Sequence, residues 1–340
     1  MSIALDATYS LGRNLSGVGV YSQEILNGLA RAHSDYPYLF CYRPHRFLRS
    51  FQERLPANAH RTLLWHGWPR DPDLFHGLNQ RIDSTRYRRV VSTFHDLFVI
   101  TGQYSTPEFR ERFRQQAKLA AERSDLVIAV SQFTAHQVED LLKVERSRIR
   151  VIHHGVRTRK NEPIPTRTIL FVGAIQTRKN VLRLVQAFEQ TPPGWKLVLA
   201  GSAGYGAAAV LARVAQSPRR AEIELKGYVS PSELAQLYRT AGIFAFPSLD
   251  EGFGMPVIEA MSHGIAVLTS QTSALGEISG GSALLVDPTD VSSISAALNR
   301  LIAEPQLRDD LGQKGRLHSS KFTWELAVEK TWAVYGELLG

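Results

Sequence analysis

The chain has 340 residues, 44% apolar and 21% charged, a composition that is typical of a folded protein and excludes global disorder. No apolar stretch approaches the ~20 residues of a membrane-spanning helix, and the first residues do not show a basic segment followed by an apolar core, so neither a span nor a signal peptide is predicted. The single cysteine, Cys41, cannot form an internal disulfide, which indicates a reducing compartment and predicts a cytoplasmic protein.

The net charge of +8 comes from the first half of the chain. Residues 1–160 hold 24 Lys and Arg against 15 Asp and Glu, whereas residues 161–340 hold 16 against 17. This asymmetry indicates an anionic substrate or surface near the first half. A basic surface that is merely solvated explains the same counts.

Short apolar runs alternate with helical patterns throughout the chain. In the first half the predicted strands are Ser2–Leu5, Tyr38–Tyr42, Arg89–Phe94, Leu126–Val130 and Ile149–Ile152, and the predicted helices are Tyr21–Ala32, Pro107–Arg123 and Ser131–Leu142. In the second half the strands are Thr168–Val172, Lys196–Ala200, Ile223–Lys226, Ile243–Phe246 and Ala266–Thr269, and the helices are Val181–Glu189, Ser230–Thr240, Pro256–His263 and Val291–Ala303. Continuous apolar strands between helices indicate parallel sheets buried on both faces. The sequence therefore predicts an α/β fold of two doubly wound, Rossmann-like domains.

A polar segment with two prolines, Arg157–Thr166, separates the two halves. It predicts a first domain over residues 1–160 and a second over residues 161–322. Beyond the second domain, Trp324–Leu339 carries apolar residues at helical spacing and predicts a final amphipathic helix.

The segment 244–264 (FAFPSLDEGFGMPVIEAMSHG) carries the most specific pattern in the chain. A strand ends at Phe246, and Gly252 and Gly254 lead into a helix opened by Pro256, a residue favoured in a first helical turn. The free amides and positive dipole end of that helix suit a phosphate or a sugar hydroxyl. The glycines remove side chains that would hold a ligand away from the backbone.

Two carboxylates, Glu251 and Glu259, lie in this segment, one before the helix and one within it. Ionised carboxylates accept hydrogen bonds from paired hydroxyls, as in a ribose or hexose diol. Taken singly, Glu251 is equally well explained as a surface turn residue, and Glu259 as a complement to the helix dipole.

Basic and polar residues also follow other predicted strands. Arg178 and Lys179 follow the strand ILFVGAI, where a basic pair can neutralise a diphosphate, although a solvated helix start gives the same pattern. His95 and Asp96 directly follow a strand, at the edge where open α/β sheets bind ligands. A local helix cap or a satisfied hydrogen bond is the alternative for that pair.

The segment EGFGMPVIE closely resembles the E-x7-E signature of retaining glycosyltransferases with the GT-B architecture, glycosyltransferase group 1, family 4. LDATYSLGRNLSGVGVYSQEIL, FHGLNQ, STFHDLF, VIAVSQFTAHQVE, VIHHGV, FVGAIQTRKN, LVLAGSAGYG and LKGYVS follow the family's order, so the resemblance covers nearly the whole chain. The resemblance implies a GT-B fold, two Rossmann-like domains facing a cleft, with the C-terminal helix 323–340 crossing back to the first domain.

The resemblance also implies roles for individual residues. It implies that Glu251, His95, Arg178 and Lys179 are catalytic, with the basic pair on the donor's diphosphate and His95 near the donor sugar. Backbone groups at Tyr228 and Val229 are implied to read the nucleobase. The full implied donor-binding set is Gly17, Gly19, Arg178, Lys179, Tyr228, Val229, Gly252, Phe253, Gly254, Met255, Pro256 and Glu259, and His76 and Asp96 are implied on the acceptor side.

The sequence offers no evidence for a metal or cofactor. There is no D-x-D sugar-nucleotide motif, and Asp71-Pro-Asp73 matches it only formally. His153-His154 has no nearby Cys or acid to complete a metal site. We therefore expect metal-independent chemistry with a nucleotide diphosphosugar as substrate.

The resemblance implies a retaining hexosyltransferase, similar to bacterial mannosyltransferases of cell-surface polysaccharide or lipopolysaccharide assembly, with GDP-mannose favoured as donor. UDP-glucose, UDP-galactose and UDP-N-acetylglucosamine remain open as donors. A GT-B sugar-nucleotide epimerase and a non-catalytic nucleotide-sugar-binding module are the alternatives. A nucleic-acid partner is not expected, because no recognition motif accompanies the basic first half.

The expected acceptor is a glycan or a lipid-diphosphate-linked glycan, and the basic first half suggests peripheral contact with an anionic membrane. Residues 104–125 combine several arginines with Phe109, Phe113 and Leu119, and His45–Arg49 is a second basic and aromatic piece. An ordinary amphipathic helix with its aromatic residues in the core is the alternative for residues 104–125.

Overall fold

The structure, a computed structural model, describes residues 2–12, 15–82, 85–157 and 163–340. The chain forms two compact units, one of Met1–Gly155 with Thr323–Gly340 and the other of Val156–Phe322. Residues 158–162, in the segment where we placed the domain boundary, lie outside the described residues.

The first unit contains a parallel sheet of seven strands. Its strands are β1 (Ile3–Asp6), β2 (Tyr38–Tyr42), β3 (Ala59–Leu63), β4 (Leu74–Gly77), β5 (Val90–Phe94), β6 (Leu126–Ala129) and β7 (Ile149–Val151). Its helices are α1 (Gly17–Ala32), α2 (Pro44–Ser50), α3 (Phe98–Thr101), α4 (Pro107–Arg123) and α5 (Gln132–Leu142).

The second unit contains a parallel sheet of six strands. Its strands are β8 (Thr168–Val172), β9 (Lys196–Ala200), β10 (Ile223–Gly227), β11 (Ile243–Phe246), β12 (Ala266–Ser270) and β13 (Leu284–Val286). Its helices are α6 (Val181–Phe188), α7 (Ala207–Ala215), α8 (Pro231–Thr240), α9 (Met255–Ser262), α10 (Ser273–Ser279), α11 (Val291–Ala303) and α12 (Pro305–Ser319). The last helix, α13 (Trp324–Leu339), belongs to the first unit.

Both sheets reverse the direction in which strands are added. The order is β3-β2-β1-β4-β5-β6-β7 in the first unit and β10-β9-β8-β11-β12-β13 in the second. The loops that follow the two strands at a reversal diverge, and the crevice they leave at the carboxyl ends is where such sheets bind ligands. The two reversals are β1 with β4 and β8 with β11. The predicted α/β fold of two parallel sheets is confirmed.

Local sequence sets where several helices begin. Thr106 and Ser131 accept hydrogen bonds from the amides of Phe109 and Thr134 at the starts of α4 and α5. Before α8, Ser230 and Glu233 form a reciprocal capping box. These caps satisfy amides that the first helical turn leaves without a partner.

The C-terminal helix α13 packs within the first unit, which confirms that it returns there. Tyr335 is fully buried, and its hydroxyl lies 2.6 Å from Nδ1 of His76. Nε2 of His76 lies 2.9 Å from Oγ1 of Thr93, and the Tyr21 hydroxyl contacts that same oxygen at 2.9 Å. Gly28 allows the helix to approach α1, since a Cβ there would lie 2.3 Å from Cγ2 of Val328. A buried hydrogen-bonded chain therefore joins α1, β4, β5 and α13.

The sequence patterns do not predict β3, β4, β13, α2, α3, α7, α10 or α12. β4 is a run of four residues, Leu-Phe-His-Gly, too short and too interrupted by its histidine to stand out as a strand. β3 and β13 are the outer strands of their sheets and carry exposed residues, so they lack the continuous apolar character of the central strands. Packing in the folded sheet decides these elements.

Candidate functional site

The E-x7-E segment lies at the carboxyl ends of β8 and β11, where the second sheet reverses. A turn of 3-10 helix, Thr177–Lys179, follows β8, and the loop of residues 247–254 follows β11. The two loops contact each other directly, because the amide of Leu249 donates to the carbonyl of Arg178 at 2.8 Å. The fold thereby joins two motifs that are about 70 residues apart in sequence.

One oxygen of Glu251 receives three hydrogen-bonding groups. Its Oε1 lies 2.6 Å from Nζ of Lys179, 2.6 Å from Oγ of Ser248 and 2.9 Å from a guanidinium nitrogen of Arg178. The structure gives the second oxygen, Oε2, no hydrogen bond among the described residues. The carboxylate is therefore fixed through one oxygen, and the other can accept a hydrogen bond from a ligand.

The electrostatics of this cluster keep Glu251 ionised. Burial by itself raises the pKa of the carboxyl, but Arg178, Lys179 and the hydrogen bonds from Lys179 and Ser248 outweigh burial and lower the pKa to about 2. At neutral pH Glu251 is a hydrogen-bond acceptor and an anion, and it has no proton to donate. Arg178 is also buried, and each of the two cations lies where its charge is poorly screened by water.

Neighbouring groups hold the two cations in place. Arg178 also donates to the carbonyl of Asp250, and Nζ of Lys179 lies 4.7 Å from the ring centroid of Phe246. The next residue, Asn180, has φ of +58°, and its side-chain amide donates to the carbonyls of Pro247 and Pro288 at 2.9 and 2.6 Å. This side chain fastens the turn after β8 to the loop after β11.

The glycine residues of the motif shape the start of α9. Gly254 precedes the helix with φ of +98°, a conformation that favours glycine, and an added Cβ would lie 2.4 Å from Cδ2 of Leu275. Gly252 and Phe253 are buried, whereas Met255 and Pro256 in the first turn are half-buried. The side chains of Met255 and Pro256 are therefore partly exposed at the start of α9.

Glu259 has a different environment from Glu251. It lies within α9, is half-buried, and accepts a hydrogen bond of 2.9 Å from the hydroxyl of Tyr238 on α8. Tyr238 is buried, and burial together with the nearby carboxylate raises its pKa well above the ordinary value. Glu251 therefore contacts two cations, and Glu259 accepts from the hydroxyl of Tyr238.

Tyr228 and Val229 follow β10 at Gly227. The side chain of Tyr228 is 54% exposed and Val229 is half-buried. Since β10 lies two strands from β8 in the order of the sheet, these residues occupy a different position along its carboxyl edge from the Glu251 cluster.

In the first unit, the predicted glycine loop begins α1. Gly17 is the first residue of α1 and is exposed, and Ser16 caps the helix by accepting from the amide of Gly19 at 3.3 Å. Gly19 is buried, and a Cβ there would lie 2.9 Å from the carbonyl oxygen of Tyr9. Gly19 therefore has a packing reason for being glycine that does not depend on a ligand.

His95 is buried and neutral at physiological pH. Its Nε2 donates to the carbonyl of Leu78 at 2.9 Å, so Nδ1 carries the lone pair, and Nδ1 lies 3.4 Å from Nε2 of His154. Burial lowers the pKa of His95 to about 4, even though the bond to Leu78 acts in the opposite direction. Its neighbour Asp96 is half-buried.

His76 lies inside β4 rather than beyond a strand end. The ring has no exposed surface, and both nitrogens contact hydroxyl groups of the first unit. Burial, with a smaller contribution from His95, lowers its pKa to about 3. In this structure His76 joins core elements and presents no surface to an acceptor.

The aromatic residues of the predicted membrane helix also require a correction. Phe113 on α4 is 5% exposed and belongs to the core with Ala117 and Val138, and Phe109 packs against that core. This is the arrangement of an ordinary amphipathic helix. The second basic and aromatic piece, His45–Arg49 in α2, differs, because Leu48 is 82% exposed and Phe51, directly after α2, is 62% exposed.

Sequence reasoning missed Ser248, Asn180 and Tyr238. Ser248 stands three residues before Glu251, and Asn180 directly follows the basic pair, so both lay within motifs already singled out. Tyr238 lies in another helix and gave no signal, because only the packing of α8 against its neighbours brings its hydroxyl to Glu259.

Across the described residues, no group of three or more His, Cys, Asp and Glu side chains is arranged to hold a metal ion. Metal independence stays a prediction. None of the helices in the described part of the chain is both long enough and apolar enough to span a membrane.

Comparisons with known proteins bear on the family. The model of the glycosyl transferases group 1 matches residues 156–318, and that of glycosyltransferase family 4 matches residues 15–160. The O-antigen chain mannosyltransferase B of Escherichia coli is 28% identical over 281 residues, 77% of this chain and 74% of that protein. The E. coli serotype-specific mannosyltransferase WbdA is 28% identical over 270 residues, 71% of this chain and 33% of WbdA, so the chain spans about a third of that relative.

A solved structure supports the fold. Sucrose-phosphate synthase from Thermosynechococcus elongatus superposes with a TM-score of 0.80 at 21% identity, covering 99% of this chain and 98% of that chain. Two family models in succession along the chain and a GT-B neighbour over nearly its full length agree with the E-x7-E segment. The chain belongs to the group 1 glycosyl transferases and has the GT-B fold.

Proposed function

We propose that this chain is a retaining, metal-independent hexosyltransferase that moves mannose from GDP-mannose to a hydroxyl of a glycan or lipid-linked glycan. The observation that carries the proposal is the cluster at β8 and β11. There Glu251 is fixed through Oε1 by Arg178 and Lys179, while its Oε2 has no hydrogen bond among the described residues. Buried cations beside the start of a helix suit a diphosphate, and an ionised carboxylate with one available oxygen suits a sugar hydroxyl.

In the proposed reaction the acceptor hydroxyl oxygen forms a bond to the anomeric carbon of the donor sugar. The bond from that carbon to the β-phosphate oxygen breaks, and its electron pair leaves with the nucleoside diphosphate. The hydroxyl proton passes to a phosphate oxygen of the leaving group, so no protein acid or base is needed. Arg178, Lys179 and the positive dipole end of α9 stabilise the charge that develops on the phosphate, a contribution of several kcal/mol in such sites.

The environment of Glu251 supports a route without a covalent sugar-enzyme intermediate. A carboxylate whose pKa lies near 2, with one oxygen held by two cations, is a weak nucleophile. In the proposal Glu251 orients a hydroxyl of the sugar, and Glu259 accepts from the ribose diol of the nucleotide. His95 is neutral, so in the proposal it adds no charge to the reaction.

The preference for mannose rests on the names of the two E. coli relatives, both mannosyltransferases and one of them an O-antigen enzyme. The same names favour a role in cell-surface polysaccharide assembly. The distribution of positive charge favours an acceptor or membrane surface of negative charge near the first unit. The exposed Leu48 and Phe51 beside basic α2 support peripheral contact with an anionic membrane.

A nucleotide-sugar panel tests this proposal. The purified chain is mixed with GDP, UDP and ADP and their mannose, glucose, galactose and N-acetylglucosamine derivatives, without added metal and with EDTA. We expect the largest thermal shift with GDP-mannose, and slow hydrolysis that releases α-mannose as its first anomer by NMR. Release of β-mannose would overturn retention, and dependence on a divalent metal would overturn metal independence.

The alternatives give different products. A sugar-nucleotide epimerase would form an epimer or free sugar at a rate that an acceptor does not change. A binding module would show the thermal shift with no product at all. Preference for a UDP-sugar would contradict GDP-mannose as the donor but would agree with the proposed transferase activity.

A further inference from the structure

A cavity of about 560 Å³ lies at the edge of the second sheet where its strands begin. The Glu251 cluster lies at the other edge of that sheet, beyond the carboxyl ends of β8 and β11, so the cavity is separate from the proposed donor site. Part of its wall consists of the residues that directly precede β8, β9, β11 and β12, which are Arg167, Trp195, Gly242 and Ile265. Helices α11 and α12 add Ile302 and Arg308 to the wall.

The size and the lining of this cavity are those of a site for a small molecule. Such sites enclose about 300–1,000 Å³ and combine a largely apolar wall with a few polar groups that orient the ligand. Here the wall is apolar at Trp195 and Ile302, and among the described residues its charged groups are Arg167, Arg308 and Asp309. The cavity therefore suits a ligand that has both an apolar body and a charged group.

The guanidinium of Arg308 is held in place by the protein. Its Nη1 donates to the carbonyls of Leu301 and Ile302, the latter at 3.1 Å, and its central carbon lies 5.5 Å from the ring centroid of Trp195. The structure gives the other two nitrogens, Nε and Nη2, no hydrogen bond among the described residues. Since a ligand would not have to immobilise this side chain, two oriented donors are available to it at little cost in conformational entropy.

The charges around the cavity are not balanced. Arg167 and Asp309 are exposed, and neither side chain has a hydrogen bond or an ion pair within the part of the chain that the structure describes. Two guanidinium groups therefore face one carboxylate, and no ion pair among the described residues joins the three. This excess of positive charge favours an anion, and the fork of a guanidinium matches the paired oxygens of a carboxylate or a phosphate.

We propose that this cavity binds a small organic anion with a flat apolar body. Its carboxylate or phosphate group binds to Arg167 and Arg308, and its body packs against Trp195 and Ile302. Binding of such a molecule does not depend on the proposed transferase activity, which uses the opposite edge of the sheet.

Fluorine NMR of the full chain labelled with 5-fluorotryptophan tests the proposal. Trp195 is the only tryptophan of residues 156–322, so its resonance reports on this cavity, and the variant Trp195→Phe identifies that resonance. The probes are indole-3-acetate and 1-naphthyl phosphate, with indole-3-acetamide as a neutral counterpart and inorganic phosphate as an anion without an apolar body. We expect a saturable shift of the Trp195 resonance with at least one aromatic anion, and binding of the amide that is weaker by about tenfold or more. The aromatic anion that binds more tightly identifies the group that the arginines recognise.

Substitution of the arginines tests where the anion binds. Arg167→Gln is expected to weaken binding by about fivefold, and the side chain has no hydrogen bond or ion pair to lose among the described residues, so the fold should be kept. Arg308→Gln is expected to weaken binding by about tenfold or more. Lys314→Gln is the matched control, because Lys314 is exposed on the same helix but does not line the cavity. It should leave binding unchanged.

Several results would overturn the proposal. Absence of any shift of the Trp195 resonance with both aromatic anions at about 10 mM would exclude the site. Equally tight binding of indole-3-acetamide and indole-3-acetate would show that the arginines do not select an anion. Equally tight binding of inorganic phosphate and 1-naphthyl phosphate would show that the apolar wall takes no part. An effect of Lys314→Gln as large as that of Arg167→Gln would place the anion outside the cavity.

Discussion

At the scale of single residues, the two glutamates of the E-x7-E segment differ in what holds them. Glu251 is held by ionic contacts with Arg178 and Lys179, whereas Glu259 is held by the neutral hydroxyl of Tyr238. A carboxylate compensated by cations stays ionised and fixed. Glu259 accepts from a hydroxyl, which is the kind of group that a ligand diol would also offer it. Substitution of Glu251 is therefore expected to affect mainly kcat, and substitution of Glu259 mainly the affinity for the nucleotide.

We expect Glu251→Gln to lower kcat by about tenfold or more, because a neutral amide accepts more weakly and charge-assisted hydrogen bonds contribute about 1.5–3 kcal/mol. The affinity for GDP is expected to change less. Steady-state kinetics with GDP-mannose and calorimetric binding of GDP measure the two effects separately.

Ser248→Ala is the matched control for that variant. It removes one hydrogen bond to the same Oε1 but keeps the carboxylate, so the expected loss is smaller, about fivefold. Melting curves must show that both variants are folded at the assay temperature, since Glu251→Gln removes an anion that contacts the buried Arg178 and Lys179. A kcat equal to that of the wild type in folded Glu251→Gln would contradict the catalytic role of Glu251.

Glu259→Gln is expected to weaken binding of the nucleotide by about tenfold with a smaller change in kcat, because the amide is a weaker acceptor for a ribose diol. Tyr238→Phe keeps the carboxylate and removes its positioning hydroxyl, so we expect a weakening of about threefold to fivefold. Competition by GDP against GDP-mannose gives the affinities. If the affinity of 2′-deoxy-GDP falls as much as that of GDP in Glu259→Gln, the carboxylate does not bind the ribose.

At the scale of secondary-structure elements, α2 and α4 show how one composition leads to two environments. Both carry arginines and aromatic residues, but α4 covers the sheet and buries Phe113, whereas α2 leaves Leu48 in solvent. Phe51 is also exposed, with the guanidinium of Arg61 at 5.2 Å from its ring centroid. Of the two, α2 is the element with apolar groups available to a membrane.

We expect the chain to sediment with anionic vesicles through α2. Replacing Arg46 and Arg49 with Glu is expected to weaken this binding by about thirtyfold or more, since each basic residue near an anionic surface contributes about 1 kcal/mol. Leu48→Gln with Phe51→Gln should weaken it as well, through the loss of apolar burial. Vesicle sedimentation with phosphatidylglycerol against phosphatidylcholine measures both.

Leu317→Gln is the matched control for the vesicle experiment, because Leu317 on α12 is 74% exposed but belongs to the second unit. It should leave vesicle binding unchanged. Equal binding to neutral and anionic vesicles, or an effect of Leu317→Gln as large as that of the α2 variants, would reject α2 as the contact.

At the scale of the whole molecule, the first unit encloses three neutral histidines. His76, His95 and His154 are buried, and burial lowers all three pKa values, to about 3 for His76, to about 4 for His95 and well below the ordinary value for His154. The unfolded chain binds protons at these side chains below about pH 6.5, and the folded chain does not until the pH nears the lowered pKa values. Stability from these groups is therefore complete above about pH 6.5 and declines as the pH falls toward about 4.

We expect the free energy of unfolding of the first unit to fall by up to about 4 kcal/mol per pH unit near pH 5, at about 1.4 kcal/mol for each of the three protons taken up. Urea unfolding followed by fluorescence between about pH 7 and pH 5 measures the slope. His76→Gln should reduce the slope by about one proton, and His60→Gln, at an exposed position, should leave it unchanged. A stability that does not vary with pH over this range would contradict the neutral assignment.

The sequence by itself determined the order and type of the central elements. The strands β8, β9 and β11 and the helices α6 and α8 are visible because each has a continuous apolar run or an amphipathic repeat. The Glu251 motif was equally visible, since its glycines, proline and carboxylates lie within a few residues of one another. Such local patterns need no knowledge of distant parts of the chain.

Tertiary structure alone decided which strands are edges, which aromatic residues are core, and which polar groups meet. The family resemblance implies that His76 is on the acceptor side, but Tyr335, 259 residues away, and Thr93 enclose it. Asp6 reads as an ordinary strand end, and only the approach of Arg43 and the loop after β4 leaves its oxygen buried without a hydrogen bond. The physical reason is that burial and hydrogen-bond satisfaction depend on every element packed around a group, and a local sequence window does not contain those elements.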